Sequence, residues 1–171
     1  MDKEKVAQYV NVLRRADVFY DLNEAHLQKI ASICSEVEYK AQEMLFEENT
    51  PGDELYVIAS GAVEILLNPS LVQPGADQGG DAVTVATLIQ GQNLGEITLV
   101  DQGLRTASAR AAGRRTRLLI IPRDKLIDLL EQEPELGYRV MRNVAADLAF
   151  KIRGTDLMIR EQLLWRPRRR E

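Results

Sequence analysis

The residues with the clearest chemical potential lie within residues 91–110, GQNLGEITLVDQGLRTASAR. Gly95, Glu96, Ile97 and Thr98 lead into a short apolar run there, and their order predicts a single helical turn. The first amides of a helix lack intrahelical partners and carry partial positive charge, so they bind phosphate oxygens wherever the backbone can come close. Gly95 permits that approach because it has no side chain, and the Thr98 hydroxyl adds a donor. The segment therefore predicts an anion-binding turn.

Glu96 and Arg105 give this turn its selectivity. A carboxylate beside a phosphate is repelled unless another group lies between them. An ionised carboxylate accepts hydrogen bonds, so Glu96 suits a sugar hydroxyl, in particular the free 2′-hydroxyl of a ribose. Arg105 supplies the counter-charge, since its planar guanidinium can pair with two phosphate oxygens of one diester. An ordinary ion pair between Glu96 and Arg105 is the alternative interpretation.

This segment resembles the phosphate-binding cassette of the cyclic nucleotide-binding domain family. The family pattern is an aromatic residue, Gly-Glu, an apolar residue, a small residue and Leu, then a short variable loop and Arg-(Ser, Thr or Ala)-Ala. This chain has LGEITL, VDQGL and RTA in the same order. Residues 52–63, GDELYVIASGAV, are similar to a second family motif, a glycine-aspartate turn and the strand after it. Leu94 stands where an aromatic residue is usual and Thr98 where Ala or Gly is usual, and the proline that often precedes the arginine is absent.

The resemblance implies an α+β fold, a double-stranded β-helix that forms a jelly-roll-like barrel of about eight antiparallel strands, with N-terminal helices and a long C-terminal helix. It implies a stand-alone regulatory sensor that binds a 3′,5′-cyclic purine nucleotide, cAMP in preference to cGMP, and relays binding through the C-terminal helix. The phosphate would contact Arg105 and the 95–98 backbone, and the ribose would contact Glu96. The residues expected to contact the ligand are Gly95, Glu96, Ile97, Thr98, Arg105, Thr106, Ala107, Thr155 and Asp156.

Thr155 and Asp156 enter this set because residues 149–159 are similar to the family helix that presents hydroxyl groups to the purine. A polar residue that fixes the register of a coiled coil is the alternative for both positions. Thr106 permits cGMP without demanding it, so the choice between the two nucleotides falls to Thr155 and Asp156.

Hydrophobic periodicity predicts the elements that position these residues. The predicted helices are 6–13, a second one that follows cap candidates at 21–23 and runs through about Ser35, 124–131 and 134–164. The predicted strands are 37–40, 44–47, 55–60, 62–67, 82–88, 105–112 and 116–121. Pro134 suits the first position of its helix, where its missing N–H does no harm. Residues 68–81 hold two prolines and three glycines, which predicts a long tip between strands with no function of its own.

The long helix carries a second pattern. Residues recur along it at alternating spacings of four and three, the a/d seam of a two-stranded coil, and they are Met141, Ala145, Leu148, Ile152, Thr155, Ile159 and Gln162. The pattern predicts a homodimer through helix 134–164. Gly154 costs about 1 kcal/mol relative to alanine inside a helix, which favours a functional reason for it. Residues 1–133 are expected to form the roll with its flanking helices, and residues 134–171 the helix and basic tail of the same domain.

Cysteine and histidine content excludes several kinds of chemistry. Cys34 and His26 are the only residues of their types, so an intrachain disulfide and a metal site built from cysteines or histidines are excluded. No nucleophile and base can be assembled from these residues. We therefore expect no enzyme, no metal and no cofactor apart from the ligand.

Charge and hydropathy indicate the cellular compartment of the protein and limit the classes of partner. The formal net charge is −4, while residues 166–171 hold four arginines and one glutamate. This balance argues against specific nucleic-acid binding by this chain, and a solvated tail is the favoured interpretation. No apolar run approaches a membrane span, and the mixed charge of the first residues predicts a cytoplasmic protein. The alternatives are a docking or dimerisation module of the same fold that binds no nucleotide, and a fragment of a transcription factor whose DNA-binding part is absent.

Overall fold

The computed structural model describes residues 2–68 and 82–165, with side chains described as far as residue 161. The helices are α1 (Lys3–Leu13), α2 (Glu24–Ile33), α3 (Glu96–Asp101), α4 (Arg123–Gln132) and α5 (Pro134–Trp165), with a 3-10 turn at Asp17–Phe19. The strands are β1 (Ser35–Lys40), β2 (Met44–Phe46), β3 (Glu54–Ser60), β4 (Ala62–Leu67), β5 (Val83–Ile89), β6 (Asn93–Leu94), β7 (Ser108–Ala111) and β8 (Arg115–Pro122).

These strands form two four-stranded antiparallel sheets, in the orders β1-β8-β3-β6 and β2-β7-β4-β5. Apolar side chains from both sheets are buried against each other, and they are Tyr56, Ile58, Val63, Leu94, Ala109 and Leu118. This arrangement confirms the predicted α+β, jelly-roll-like fold with helices at both ends of the chain. The residues of β8 show why each strand buries one face. Thr116 and Leu118 are buried, whereas Arg115 and Arg117 are exposed, because successive side chains of a strand point to opposite faces.

A second core lies where the helices cover β3 and β8. Its largest fully buried members are Tyr9, Leu13, Phe19, Leu27, Ile30, Leu55, Leu119, Ile121, Leu126 and Leu136. Asn23 caps α2, since its side-chain oxygen accepts a hydrogen bond from the His26 amide at 2.8 Å. The Cys34 thiol donates to the Ile30 carbonyl at 3.2 Å, and burial raises the pKa of Cys34 to about 12. The thiol is therefore protonated at neutral pH and has a structural role.

Helix α5 begins at Pro134, as the sequence predicted, and its two halves differ. Leu136, Val140 and Val144 are buried in the helical core, and Met141 and Leu148 pack against it. Beyond Lys151 the described side chains are exposed. They include three residues of the predicted coiled-coil seam, which are Ile152, Thr155 and Ile159. Gln162 lies outside the described side chains. Within residues 2–68 and 82–165, no helix is long and apolar enough to cross a membrane.

Some predicted boundaries were wrong. The strand predicted at 105–112 is only Ser108–Ala111, because the backbone of Arg105 pairs with the turn before β3: its N–H donates to Thr50 at 2.8 Å and its carbonyl accepts from Asn49 at 2.8 Å. The second helix ends at Ile33 and gives way to β1 at Ser35. The short strand β6 was not predicted. Most of the predicted tip at 68–81, namely residues 69–81, and the basic tail at 166–171 lie outside the described residues.

Candidate functional site

A cavity of about 450 Å³ lies between the sheet β2-β7-β4-β5, the α3 turn and helix α5. Its lining residues are Phe46, Ile65, Ala86, Leu88, Asn93, Leu94, Gly95, Glu96, Ile97, Thr98, Arg105, Thr106, Ala107, Lys151, Gly154, Thr155 and Met158. The structure thus brings together all of the predicted site residues except Asp156. The volume falls within the range of roughly 300–1,000 Å³ that is usual for small-molecule sites.

The helical phase of α5 explains why Asp156 is not at the cavity. Lys151, Gly154, Thr155 and Met158 recur every three or four residues and therefore share the face of the helix that lines the cavity. Asp156 is exposed, and because it follows Thr155 directly in sequence its side chain is turned away from that face. The Thr155 hydroxyl donates to the Lys151 carbonyl at 3.1 Å, so it is held against the helix at the cavity wall.

Arg105 is the most deeply buried charge of the site, with only 2% of its side chain exposed. Its Nη1 donates to the Thr98 hydroxyl at 3.1 Å, and its Nη2 donates to the Glu54 carbonyl at 2.9 Å. The guanidinium carbon lies 4.3 Å from the centre of the Phe46 ring and 5.5 Å from that of Tyr56. Both aromatic faces attract a cation, so the side chain is held in one orientation.

The negative charge near Arg105 does not fully balance its guanidinium. The Glu54 carboxylate lies 3.5 Å from Nη2 and its side chain is 42% exposed, so solvent weakens the attraction. The Nε of Arg105 is buried and has no hydrogen-bond partner in the described part of the chain. A buried cation whose neighbours are mostly neutral acceptors favours an anion in the adjoining cavity.

Two glycines allow the guanidinium to lie where it does. A Cβ at Gly95 would come within 2.5 Å of Arg105 Nη1 and 2.7 Å of the Glu54 carbonyl oxygen, and the residue has a φ of +89° that favours glycine. A Cβ at Gly52 would come within 2.4 Å of Arg105 Nε. Gly52 was predicted to lie in a turn, and its contact with Arg105 was not predicted, although its place in the second family motif was a signal.

Glu96 does not form the ion pair with Arg105 that was the alternative interpretation of the sequence. Its side chain is 6% exposed, and its ion-pair partner among the described residues is Lys151 at 2.8 Å rather than Arg105. Asn93 donates to the other Glu96 oxygen at 3.4 Å and to the Asp147 carboxylate at 3.2 Å, and Lys151 also pairs with Asp147 at 2.9 Å. Lys151, Asn93 and Asp147 were missed by the sequence analysis. Their only sequence signal was the four-residue spacing that places Asp147, Lys151 and Thr155 on one helix face.

The charge of Lys151 is maintained by its neighbours. Burial lowers the pKa of Lys151, but the carboxylates of Glu96 and Asp147 outweigh that effect and the pKa is raised above its usual value. Lys151 is therefore a cation at neutral pH. Two cations, Arg105 and Lys151 of α5, line the cavity together with Glu96.

Part of the cavity lining is apolar. Ile65, Ala86 and Leu88 contribute to it from the sheet, and Met158 contributes from the helix. The hydroxyl-bearing residues Thr106 and Thr155 also line the cavity. Such a lining suits a flat, mostly apolar group that carries a few hydrogen-bonding atoms.

Comparison with known proteins assigns the family. The family model described as the cyclic nucleotide-binding domain matches residues 36–133, more than half of the chain. The chain belongs to the cyclic nucleotide-binding domain family. The matched residues include both sheets, the cassette at residues 94–107 and α4, so the predicted resemblance is confirmed. This family is regulatory rather than catalytic.

Similar proteins span several architectures. The chain is 33% identical over 119 residues to the cyclic AMP receptor protein of Thermus thermophilus, covering 70% of this chain and 49% of that protein. It is 26% identical over 148 residues to the cGMP-dependent protein kinase, isozyme 1, of Drosophila melanogaster, covering 86% and 18%. The solved structure of the Thermus thermophilus catabolite activator protein superposes with a TM-score of 0.70 at 29% identity, covering 86% and 63%. The chain thus spans about half or less of the length of these two sequence relatives.

The contact between Gly52 and Arg105 leads to a stability prediction. Gly52→Ala should lower the free energy of unfolding by about 1–3 kcal/mol, because the added methyl group displaces a guanidinium that two rings and two acceptors hold in place. Gly113→Ala is the matched control, since its Cβ would have no neighbour closer than 3.5 Å. We expect that control to change stability by less than about 0.5 kcal/mol. Urea denaturation of the ligand-free domain measures both, and equal midpoints would contradict the packing described.

Proposed function

We propose that this domain is a regulatory sensor that binds a 3′,5′-cyclic purine nucleotide, cAMP in preference to cGMP, and relays its occupancy through α5. The observation that carries the proposal is the buried guanidinium of Arg105, 2% exposed and facing the cavity without a close, buried carboxylate. Membership of the cyclic nucleotide-binding domain family supports the ligand class.

The phosphate is proposed to lie between Arg105 and the turn that starts at Gly95. A cyclic diester carries one negative charge, which one guanidinium neutralises, and its two free oxygens match the planar fork of arginine. Because Nη1 and Nη2 are fixed by Thr98 and Glu54, little side-chain entropy is lost when the anion binds. The Gly95–Thr98 backbone lies along the same wall.

The ribose is proposed to lie against Glu96 and the purine against the apolar lining residues. A carboxylate accepts from the 2′-hydroxyl that the cyclic diester leaves free, and Glu96 lines the cavity beside Arg105. The base would then lie among Ile65, Leu88 and Met158, within reach of the Thr106 and Thr155 hydroxyls.

The proposed preference for cAMP rests on a sequence relative and on one residue of the cavity lining. The Thermus thermophilus relative is named for cyclic AMP, and it is more similar to this chain over a shorter stretch than the cGMP-dependent kinase is. Thr155 lines the cavity, as the proposal requires for an adenine contact. Asp156 could accept from the exocyclic amine of adenine as well as from guanine N1–H and N2, and because it is not among the lining residues it favours neither nucleotide.

The outer half of α5 is proposed to pair with the same helix of a second copy. Besides Met158, which lines the cavity, four large apolar side chains there are strongly exposed, and they are Phe150 at 77%, Ile152 at 61%, Leu157 at 60% and Ile159 at 49%. Ile152 and Ile159 occupy the predicted seam at heptad spacing, and an exposed apolar row of this kind is typical of a helical interface. Phe150 and Leu157 form a second row at heptad spacing, which lies on nearly the opposite side of the helix because each residue turns it by about 100°.

Binding measurements on Arg105 variants test the ligand proposal. Arg105→Ala should weaken cAMP binding by about 2–5 kcal/mol, about thirty- to several-thousand-fold in Kd, because the phosphate loses its buried partner. Arg105→Lys keeps the charge without the fork and should also bind more weakly than wild type. Arg110→Ala is the control, since Arg110 pairs with Glu64 at 2.7 Å and does not line the cavity.

Calorimetry on folded variants decides the outcome. A loss of less than about threefold for Arg105→Ala, or an equal loss for Arg110→Ala, would refute the role given to Arg105. Titration of wild type with both nucleotides decides the preference, and tighter binding of cGMP would overturn it.

Sedimentation equilibrium tests the dimer. An Ile152→Glu and Ile159→Glu double variant should raise the dimer dissociation constant by at least about tenfold, because burying two carboxylates in a helical seam is strongly unfavourable. Arg153→Glu is the control, since that exposed side chain lies on the same helix but outside the seam. A wild-type chain that remains monomeric at all concentrations would contradict the proposal.

A further inference from the structure

The outer side of α5 carries three residues that neither the cavity nor the proposed seam uses. Arg153, Leu157 and Arg160 recur there at spacings of four and three residues, so they are neighbours on one side of the helix. All three side chains are exposed, that of Leu157 by 60%. Leu157 lies on nearly the opposite side of the helix from the seam residues Ile152 and Ile159. These three residues, which we call the basic stripe, therefore stay open to solvent when α5 pairs through its seam.

Helix α4 carries a stripe of the opposite charge. Asp124, Ile127 and Glu131 recur at spacings of three and four residues, and we call them the acidic stripe. Leu126 and Leu130 of the same helix are buried in the helical core, which turns the two carboxylates outward. Both carboxylates are exposed, whereas Ile127 is half-buried at the edge of that core.

The charged groups of both stripes lack ionic partners within the described chain. Arg153, Arg160, Asp124 and Glu131 form no ion pair with another described residue. Asp128 adds a further exposed carboxylate to the outer side of α4. One molecule thus presents two exposed surfaces of opposite sign, and such surfaces attract each other between copies.

An antiparallel arrangement of the two helices brings the stripes into register. Read forwards, the basic stripe has steps of four and three residues, and read backwards from Glu131 to Asp124 the acidic stripe has the same two steps. Each stripe spans seven residues, about 10 Å along its helix axis, with its apolar residue at the same place between the charges. Both cations then meet carboxylates, and the two apolar side chains meet each other.

We propose that the basic stripe of one copy packs against the acidic stripe of a second copy of this chain, with α5 and α4 antiparallel. The proposed pairs are Arg153 with Glu131 of the second copy, Leu157 with its Ile127, and Arg160 with its Asp124. Because every copy carries both stripes, a two-fold arrangement forms the contact twice and closes without an unpaired end. None of these residues lines the cavity or belongs to the seam, so the contact depends on neither the ligand nor the α5 pairing.

The composition of the stripes determines how this contact should behave. Exposed ion pairs contribute little individually and are screened by salt, and each stripe adds one large apolar side chain. The association is therefore weak and depends strongly on ionic strength, unlike an interface built on a wide apolar surface.

Sedimentation equilibrium on a chain without its seam measures the contact. Ile152→Ser and Ile159→Ser remove the seam, so that α5 pairing does not mask the result, and we call this variant the parent chain. The parent chain should associate reversibly at low ionic strength. Added salt should weaken this association, because it screens both ion pairs.

Charge reversal of each stripe tests the proposed pairs. In the parent chain, Arg153→Glu with Arg160→Glu turns both attractions into repulsions, and Asp124→Lys with Glu131→Lys does the same from the other side. Each reversed variant should raise the dissociation constant at least about tenfold.

A mixture of the two reversed variants is the sharpest arm of the experiment. The new glutamates of one variant face the new lysines of the other, and the unchanged stripes face each other as well. The mixture should therefore associate about as tightly as the parent chain, although neither variant does so alone. A misfolded variant would not regain affinity on mixing, so the rescue also controls for folding.

A charge-matched control separates this pairing from a general effect of net charge. Arg15→Glu with Arg114→Glu changes the net charge as much as reversal of the basic stripe does. Both arginines are exposed and lie outside α4 and α5. This control should keep the dissociation constant of the parent chain to within about threefold.

Three results would overturn the inference. A parent chain that stays monomeric at low ionic strength has no such contact. Loss of association on reversal of the basic stripe but not of the acidic stripe would mean that another acidic surface covers α5. A mixture that fails to associate, or a control that is weakened as much as the reversed variants, would show that the proposed pairs do not form.

Discussion

Burial of the Arg105 guanidinium is the constraint on which the rest of the site depends. A cation removed from water is stable only where acceptors and opposite charge replace the solvent. The chain provides two oxygen acceptors, from Thr98 and Glu54, and the faces of Phe46 and Tyr56. These neighbours orient the guanidinium but supply little negative charge at close range. A monoanion in the cavity would complete the environment, and this explains why the site suits a cyclic diester.

Backbone structure around the cavity follows from the same constraint. Gly52 and Gly95 are glycines because a Cβ at either position would collide with the guanidinium. The Arg105 backbone is fixed to the turn before β3 rather than to a strand partner, which sets its side chain beside α3. At the other side of the cavity, Lys151 brings a second cation from a separate element.

The sequence predicted those parts of the site whose signals are local. Gly95, Glu96 and Arg105 fall within a short stretch whose order is specific, and the 3.6-residue period of the helices and the alternation of the strands were clear enough to place most elements. Lys151 could not be predicted, because a lysine on an amphipathic helix has the same local pattern whether it faces solvent or a carboxylate 55 positions away. The strand expected at Arg105 failed for a related reason, since its small residues suit a strand but its partner is a distant turn. Asp156 missed the cavity because one step along a helix rotates a side chain by about 100°.

The most direct test of the central claim compares two adenosine phosphates that differ in charge and ring closure. Calorimetric titration of the wild-type domain with cAMP and with 5′-AMP asks whether one buried guanidinium is matched to one diester charge. The account predicts one cAMP per chain, bound at least about tenfold more tightly than 5′-AMP, whose second phosphate charge has no buried partner and whose ring is open. Equal affinity for the two compounds, or no binding of cAMP at all, would contradict it.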